Sequence, residues 1–257
     1  MSDRTFPAPS TISAQAQKWL AVQGADRSYP AAEDTDAWLA MVKQANQHTA
    51  RQFPAAELPV TVKDVNVDGV TVYAARPHGI REKTGEPLYL WMHPGALLVG
   101  GGDACRATTS RTALSTGMLT WGVDYRTPPL HPYPAALDDA IATYRNALKG
   151  RDPSRIFVGG DSSGGNIAAA LMLRAKDEGL PMPAAAVLNS PQVDLTEAGD
   201  TFQTLAGVDN VLSSLRQVNA LYAAGADLKD PYLSPLFGDL SGFPPAFLTS
   251  GTRDLFL

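Results

Sequence analysis

Cysteine is almost absent from this 257-residue sequence, which contains one, at position 105. A single thiol forms no disulfide within the chain and agrees with a reducing compartment, so we expect a cytoplasmic location. Basic residues are also few, because 21 Lys and Arg stand against 26 Asp and Glu and give a formal net charge of −5. Nucleic-acid binding needs a basic face, and this charge balance argues against it.

Long apolar runs are missing as well. No stretch approaches the ~18 consecutive apolar residues of a membrane span, so none is expected. Metal and cofactor motifs are also lacking: there is no H-E-x-x-H, no G-K-[ST] and no group of His and Cys at metal-ligand spacing. We therefore expect neither a metal nor an organic cofactor. Hydrophobic residues nevertheless make up 44% of the chain, which is ample for a folded core.

Short apolar runs alternate with helical patterns from residue 87 onward. The predicted strands are 88–92, 118–126, 156–160, 184–190 and 245–251. The predicted helices are 103–117, 134–149, 164–178 and 207–224. This alternation predicts an α/β fold with a mainly parallel central sheet and helices on both faces. Before it, residues 60–76 alternate apolar and polar around Asp68-Gly69, which is typical of a β-hairpin.

One predicted strand leads into a candidate nucleophile, since functional sites of parallel sheets lie at the carboxyl ends of strands. Residues 160–164 read Gly-Asp-Ser-Ser-Gly and stand between strand 156–160 and a helix. This G-x-S-x-G pattern in a strand–turn–helix context predicts a nucleophilic Ser162. Asp161 is expected to bond with the local backbone. The alternative is a Gly/Ser-rich turn that only caps the helix.

A second turn predicts donors for an oxyanion. His93-Pro94-Gly95-Ala96 follows strand 88–92, and its small residues allow a carbonyl group to approach the backbone. Pro94 has no N–H, so the expected donors are the N–H groups of Gly95, Ala96 and Ser163. His93 is expected to orient the turn rather than transfer a proton. The glycines at 100–102 match no phosphate-binding motif and are expected to end the loop before a helix.

Together these residues resemble the bacterial hormone-sensitive-lipase-like esterases, a branch of the α/β-hydrolases with the hallmarks H-G-G-G and G-D-S-A-G-G-N. The resemblance runs from about residue 60 to the end, and further stretches that share it are 124–126, 131–136, 190–195 and 232–235. It implies a serine carboxylic-ester hydrolase that acts on small acyl esters or lactones through an acyl-enzyme. It also implies that Asp254, after the last strand, is the triad acid that orients a histidine.

That histidine is not in the sequence. The four histidines, at 48, 78, 93 and 131, all precede Ser162, whereas the family places its catalytic histidine roughly thirty residues beyond the acid. We therefore expect a C-terminally truncated form that lacks the last helix and strand. Loss of a triad member leaves only ~10³–10⁴-fold catalysis over water, so impaired activity is expected.

The resemblance also implies a domain organisation. Residues 1–55 are expected to form N-terminal cap helices, and 56–257 the catalytic domain, incomplete at its C-terminus, with 196–230 as a second cap segment. Trp19, Phe202 and Leu215 are candidates for lining the pocket. One alternative is a non-catalytic small-ligand-binding protein on the same fold, as in the plant gibberellin receptors. Another is an interaction protein that uses an open sheet edge, for instance as a homo-oligomer.

Overall fold

A seven-stranded sheet forms the centre of the structure, a computed structural model that describes residues 7–21, 28–54 and 58–257. The strands are β1 (Val60–Val67), β2 (Val70–Pro77), β3 (Leu88–Met92), β4 (Leu119–Asp124), β5 (Ile156–Asp161), β6 (Ala185–Asn189) and β7 (Ala246–Thr249). Their order across the sheet is β1-β2-β4-β3-β5-β6-β7. β1 and β2 form the predicted hairpin and pair antiparallel, whereas β3 to β7 run parallel. The predicted fold class is confirmed.

Helices connect and cover these strands. They are α1 (Ala14–Leu20), α2 (Thr35–Gln52), α3 (Asp103–Thr116), α4 (Ala135–Gly150), α5 (Ser163–Asp177), α6 (Thr201–Thr204) and α7 (Arg216–Ala223). Helix α5 packs against β3, β5 and β6, and α4 packs against α5, while α3 packs against β2, β4 and the N-terminal helix α2. No helix within the described ranges is long and apolar enough to cross a membrane.

The centre of the sheet is buried because its sequence is apolar on both faces. All five residues of β3 are buried, as expected for an inner strand of a parallel sheet. Helix α5 is buried almost all round, from Ser163 to Leu173, which is the pattern of a helix enclosed by other elements. The core therefore lies directly beneath the carboxyl end of β5, where the candidate nucleophile stands.

The helix predicted over 207–224 is wrong in its first half, because α7 begins only at Arg216. The carboxylate of Asp209 accepts hydrogen bonds from the backbone N–H groups of Val211 and Leu212, at 2.8 and 2.9 Å. Side-chain acceptors of this kind compete with helix formation by offering the backbone other partners. In the N-terminal region, parts of the predicted helical segment 1–55, namely 1–6, 22–27 and residue 55, lie outside the described residues.

Candidate active site

Ser162 occupies a strained turn between β5 and α5. Its φ of 55° and ψ of −120° lie in a left-handed region that residues other than glycine rarely adopt. The turn is fixed by its backbone: Ser162 N–H donates to the Asn189 carbonyl at 2.8 Å, and the Ser162 carbonyl accepts from Gln192 N–H at 3.1 Å. Among the described residues, no group hydrogen-bonds to the Ser162 hydroxyl, so this hydroxyl is available for reaction.

The glycines of the G-x-S-x-G pattern are required by close backbone contacts. A Cβ atom on Gly160 would lie 2.3 Å from the carbonyl carbon of Gly164. A Cβ atom on Gly164 would lie 2.1 Å from the Met92 carbonyl oxygen and 2.6 Å from that of His93. Helix α5 therefore begins in direct contact with the end of β3, and the serine turn lies beside the turn that starts at His93.

The turn after β3 has positive backbone φ angles, which residues with a side chain rarely adopt. Gly95 has φ 147° and Ala96 has φ 54°. A Cβ atom on Gly95 would lie 1.8 Å from the Val99 carbonyl oxygen. Within the described ranges, the N–H groups of Gly95, Ala96 and Ser163 have no hydrogen-bond acceptor in the protein. Three N–H donors are thus available in the two turns that His93 and Gly164 bring into contact.

His93 is fully buried at the start of this turn. Its ring stacks on Tyr125 with 4.0 Å between centroids, its Nδ1 lies 3.0 Å from the Pro94 carbonyl oxygen, and the Tyr125 hydroxyl donates to the His93 carbonyl at 2.7 Å. Burial lowers the pKa of His93 to about 4, so the imidazole is neutral near pH 7. These contacts agree with a residue that positions the turn.

Asp254 lies beyond the carboxyl end of β7, two strands from β5 in the sheet. Strand spacing puts these strand ends ~10 Å apart, enough for one intervening side chain. The Asp254 carboxylate accepts a hydrogen bond from Phe256 N–H at 2.9 Å, and the Asp209 carboxylate holds the same segment through Leu255 N–H at 3.1 Å. None of the four histidines, all within the described residues, hydrogen-bonds to Ser162 or Asp254.

Asp161 supports the serine turn through side chains. Its carboxylate accepts from Trp91 Nε1 at 3.1 Å and from Asn189 Nδ2 at 2.6 Å, and the Asn189 side-chain oxygen accepts from the Thr249 hydroxyl at 3.1 Å. The expectation that Asp161 bonds with the local backbone is wrong, because its carboxylate projects toward the ends of the neighbouring strands. The resulting chain of hydrogen bonds joins the carboxyl ends of β3, β5, β6 and β7.

Asn166, in the first turn of α5, fastens two distant segments. Its buried Nδ2 donates to the Gln192 carbonyl at 2.7 Å and to the Leu233 carbonyl at 2.8 Å. Gln192 in turn donates from Nε2 to the side chain of Asn219 on α7, at 2.9 Å. The last residue of the seven-residue motif therefore holds the segments 190–195 and 232–235 against the base of the serine turn.

Two clefts open near this edge of the sheet. A cleft of about 800 Å³ lies between α2 and residues 124–131, and one of about 440 Å³ lies beside the C-terminal segment. Ser162 lines neither cleft. Of the pocket candidates, Phe202 lines the smaller cleft, Leu215 is buried and Trp19 is 56% exposed.

The structure also brings together three side chains that sequence spacing did not connect. One ligand atom each from His93, Cys105 and Asp124 lies within 4.8 Å of the other two. These residues come from the ends of β3 and β4 and from the first turn of α3, so only the folded chain unites them. Burial raises the pKa of the Cys105 thiol well above its usual range.

A parallel sheet with a strained serine between strand and helix defines the α/β-hydrolase class. The sequence pattern of the family described as the alpha/beta hydrolase fold matches residues 89–257, and the chain belongs to this family. The predicted membership of the hormone-sensitive-lipase-like esterase branch is confirmed by relatives and solved structures.

Among the relatives, an acetyl-hydrolase of Streptomyces hygroscopicus is 36% identical over 65% of this chain and 56% of its own length. Carboxylesterase NlhH of Mycobacterium tuberculosis is 34% identical over 77% of this chain and 66% of its own length. The chain thus spans between half and two thirds of these relatives.

Solved esterase structures share the fold. Esterase E25 superimposes with a TM-score of 0.86 at 32% identity, covering 100% of this chain and 82% of that one. EstE5 gives a TM-score of 0.81 at 31% identity, covering 95% and 79% of the two chains. An esterase from the bacterial hormone-sensitive lipase family gives 0.75 at 30% identity, covering 90% and 75%.

Proposed function

We propose that this chain is a serine carboxylic-ester hydrolase in which Ser162 attacks the carbonyl carbon of a small acyl ester or lactone. The observation that carries the proposal is the position of the strained Ser162 turn beside three N–H groups, of Gly95, Ala96 and Ser163, that have no acceptor among the described residues. Donors fixed in advance stabilise negative charge that develops on a carbonyl oxygen.

The proposed reaction passes through an acyl-enzyme. The Ser162 oxygen bonds to the carbonyl carbon as its hydroxyl proton is lost, and the carbonyl oxygen takes up negative charge among the three N–H groups. The carbonyl then re-forms, the ester C–O bond breaks, and the alcohol leaves with the proton that the serine lost. Water then attacks the acyl group and releases the acid and the free hydroxyl of Ser162. The proposed reaction uses no metal or organic cofactor.

A serine hydroxyl is a weak nucleophile without an adjacent base. We assign Asp254 the role of orienting a catalytic histidine, but none of the four histidines, all within the described residues, hydrogen-bonds to Ser162 or Asp254. The chain of 257 residues is therefore expected to turn over slowly, with the ~10³–10⁴-fold advantage over water that remains when a triad member is missing.

The experiment combines labelling with turnover. The chain is treated with a fluorophosphonate probe and assayed with p-nitrophenyl acetate and butyrate, alongside Ser162→Ala and the matched control Ser163→Ala. The buried Ser163 hydroxyl has no hydrogen-bond partner among the described residues, and its replacement keeps the Ser163 N–H. We expect labelling in the wild type and in Ser163→Ala, and none in Ser162→Ala. Equal labelling of all three would refute Ser162 as the nucleophile.

Small acyl groups are favoured by the relatives. The Streptomyces relative is named an acetyl-hydrolase, and one structure of EstE5 was obtained after soaking with p-nitrophenyl butyrate. A series of p-nitrophenyl esters from acetate to dodecanoate tests the size limit. We expect the highest rates at roughly two to four acyl carbons and lower rates for longer chains, since a pocket shaped for a small group rejects extra methylenes.

A non-catalytic ligand-binding protein is the second candidate, favoured by the lack of a histidine at Ser162. The same assay separates the two. Neither labelling nor Ser162-dependent turnover, together with saturable binding of a small ester or acid, would favour the binding protein. Labelling without turnover would indicate a reactive serine whose catalytic site is incomplete.

The cap organisation remains a proposal, supported by contacts between its two segments. Trp38 of α2 forms a buried apolar cluster with Leu98, Leu215 and Val218, the last two from the proposed second cap segment 196–230. The Asn210 side chain also donates to the Trp19 carbonyl at 2.9 Å. Described residues of both segments thus contact each other, and the cluster of Trp38, Leu215 and Val218 also includes Leu98 in the loop that follows Gly95 and Ala96. A cytoplasmic location is likewise proposed, on the basis of the single cysteine.

Self-association through β7 is proposed for this chain. β7 is the edge strand of the sheet, and its Phe247 and Leu248 are 64% and 60% exposed. An exposed apolar edge strand offers unpaired backbone groups and apolar surface to another chain. A second copy could pair with the same edge and cover both side chains.

A further inference from the structure

Three side chains with metal-binding atoms converge near the start of the candidate oxyanion turn. His93 follows β3, Asp124 ends β4, and Cys105 lies in the first turn of α3. One nitrogen, sulfur or oxygen atom from each lies within 4.8 Å of the other two. His93 and Cys105 are fully buried, so the packing of the surrounding fold fixes their positions.

The histidine is in the state that metal ligation requires. Because the Pro94 carbonyl can only accept a hydrogen bond, the 3.0 Å contact with Nδ1 places the ring proton on Nδ1 and leaves a lone pair on Nε2. Nε2 is buried and has no hydrogen-bond partner in the described part of the chain. Metal-bound histidines characteristically donate their other ring N–H to a carbonyl or carboxylate, as His93 does here.

The other two side chains have few or outer contacts with their neighbours. The Cys105 sulfur makes only long contacts, at 3.7 Å to the Val123 carbonyl and 3.8 Å to the Thr109 hydroxyl. Asp124 is oriented by its neighbours, since it accepts from Gly102 N–H at 2.9 Å and from the Tyr73 hydroxyl at 3.4 Å. Carboxylate ligands of metals are commonly fixed by such outer hydrogen bonds.

Two of the three consecutive glycines at 100–102 pack closely on this group. A Cβ atom on Gly100 would lie 2.4 Å from His93 Nδ1, and one on Gly101 would lie 3.0 Å from an Asp124 carboxylate oxygen. The glycines therefore let the backbone cover two of the three side chains. Of the three side chains, Asp124 also lines the 800 Å³ cleft, so the group adjoins this cleft on one side.

We propose that His93, Cys105 and Asp124 form a binding site for a zinc-type divalent cation. Nitrogen, thiolate and carboxylate donors in one set are typical of Zn²⁺, and three protein ligands leave a fourth tetrahedral position for water. Tetrahedral bonds of ~2.0–2.3 Å put ligand atoms roughly 3.5 Å apart. The side chains therefore need to close by about 1 Å.

Charge balance supports the same ligand set. A thiolate and a carboxylate carry two negative charges, which one dication neutralises within a largely buried site. As the sulfur–metal bond forms, the thiol proton leaves to solvent, as in other thiolate metal sites. The proposal is independent of ester hydrolysis, since the proposed reaction uses no metal.

The test is metal binding to the whole chain. The protein is stripped with a chelator and titrated with Co²⁺, whose bond to a thiolate gives a charge-transfer band in the near ultraviolet. Cys105 is the only cysteine in the sequence, so this band can come from no other residue. We expect the band to saturate at one Co²⁺ per chain and to disappear when Zn²⁺ is added in competition.

Two variants complete the experiment. Cys105→Ser should lose the band and bind Zn²⁺ at least ~100-fold more weakly in a chelator competition, because a ligand is gone. The matched control Asp103→Asn removes a neighbouring carboxylate outside the group and should bind like the wild type. Absence of the band from folded wild-type protein would overturn the proposal, as would unchanged Zn²⁺ affinity in Cys105→Ser. If Cys105→Ser does not fold, the wild-type Co²⁺ spectrum decides alone.

Discussion

Gly160 and Gly164 pack so closely that a Cβ atom on Gly160 would lie 2.3 Å from the Gly164 carbonyl carbon. No atom can be accommodated there unless the backbone of β5 or α5 moves. Because that contact sets the turn in which Ser162 stands, the two glycines control both the stability of the fold and the position of Ser162.

Gly160→Ala is therefore expected to destabilise the chain by ~3 kcal/mol or more, as overpacking against a rigid backbone does. Chemical denaturation, with fluorescence of the four Trp residues as the readout, measures the free energy of unfolding. The control is Gly150→Ala at the end of α4, where a Cβ atom meets nothing within 4 Å. The free energy of unfolding of this control should differ from that of the wild type by no more than about 0.5 kcal/mol. Equal losses of stability in Gly160→Ala and Gly150→Ala would contradict the close contact between Gly160 and Gly164.

Ser162 stores backbone strain that a glycine would relieve. Its φ of 55° and ψ of −120° cost ~1–3 kcal/mol for a residue with a Cβ atom. We expect Ser162→Gly to raise the free energy of unfolding by ~1 kcal/mol, and Ser162→Ala, which keeps the strain, to leave it nearly unchanged. Both variants should lose fluorophosphonate labelling. A Ser162→Gly variant no more stable than Ser162→Ala would show that the turn is not strained.

The features that could be predicted from sequence are local along the chain. The turn at Ser162 could be predicted because the glycines that shape it lie two residues away on either side. The strands were predicted to within about two residues because the inner strands are continuous apolar runs. Local sequence patterns do not predict contacts between side chains that come from distant segments of the chain. Trp91 and Asn189 reach Asp161 from other strands, and His93, Cys105 and Asp124 meet only in the folded chain.

The late start of α7 has a similar cause. Apolar spacing over 207–224 is compatible with a helix, but the carboxylate of Asp209 holds nearby N–H groups and also binds Leu255 N–H at 3.1 Å. That last contact joins residues far apart in sequence, so no local pattern could reveal it.

The ion pair between Arg76 and Glu86 gives a prediction for acid stability. The Arg76 guanidinium donates to both Glu86 carboxylate oxygens, at 2.6 and 2.5 Å, and these hydrogen bonds lower the pKa of Glu86. A carboxyl whose pKa is lower in the folded chain stabilises the fold above its unfolded pKa of about 4.3. This stabilisation is lost as the pH falls through the lower, folded value.

Glu86→Gln should therefore be less stable than the wild type at pH 7, with a difference that shrinks as the pH falls below about 4. Urea denaturation of both proteins between neutral and acidic pH measures this difference. Glu82→Gln serves as the control, since Glu82 acts on Arg76 only through its charge and does not accept the two Arg76 hydrogen bonds, which go to Glu86. Its loss of stability at pH 7 should therefore be smaller than that of Glu86→Gln. A difference in the free energy of unfolding between the wild type and Glu86→Gln that stays constant with pH would contradict a stabilising ion pair between Arg76 and Glu86.

The exposed face of β7 gives the last prediction. Phe247 is 64% exposed on the edge strand, where a second copy could cover it. Size-exclusion chromatography of the wild type over a range of concentrations should show a shift toward a dimer as concentration rises. Phe247→Lys should remain a monomer throughout, because a charged residue on an edge strand opposes pairing.

Leu130→Lys is the matched control for this experiment. Leu130 is similarly exposed, at 61%, but lies in the loop after β4 and not on the sheet edge. It should elute like the wild type if association uses β7. Loss of association in both variants would indicate non-specific hydrophobic association. Association retained in Phe247→Lys would show that the interface does not use this side chain of β7. The proposal of a reactive Ser162 is tested separately, by fluorophosphonate labelling, and depends on neither result.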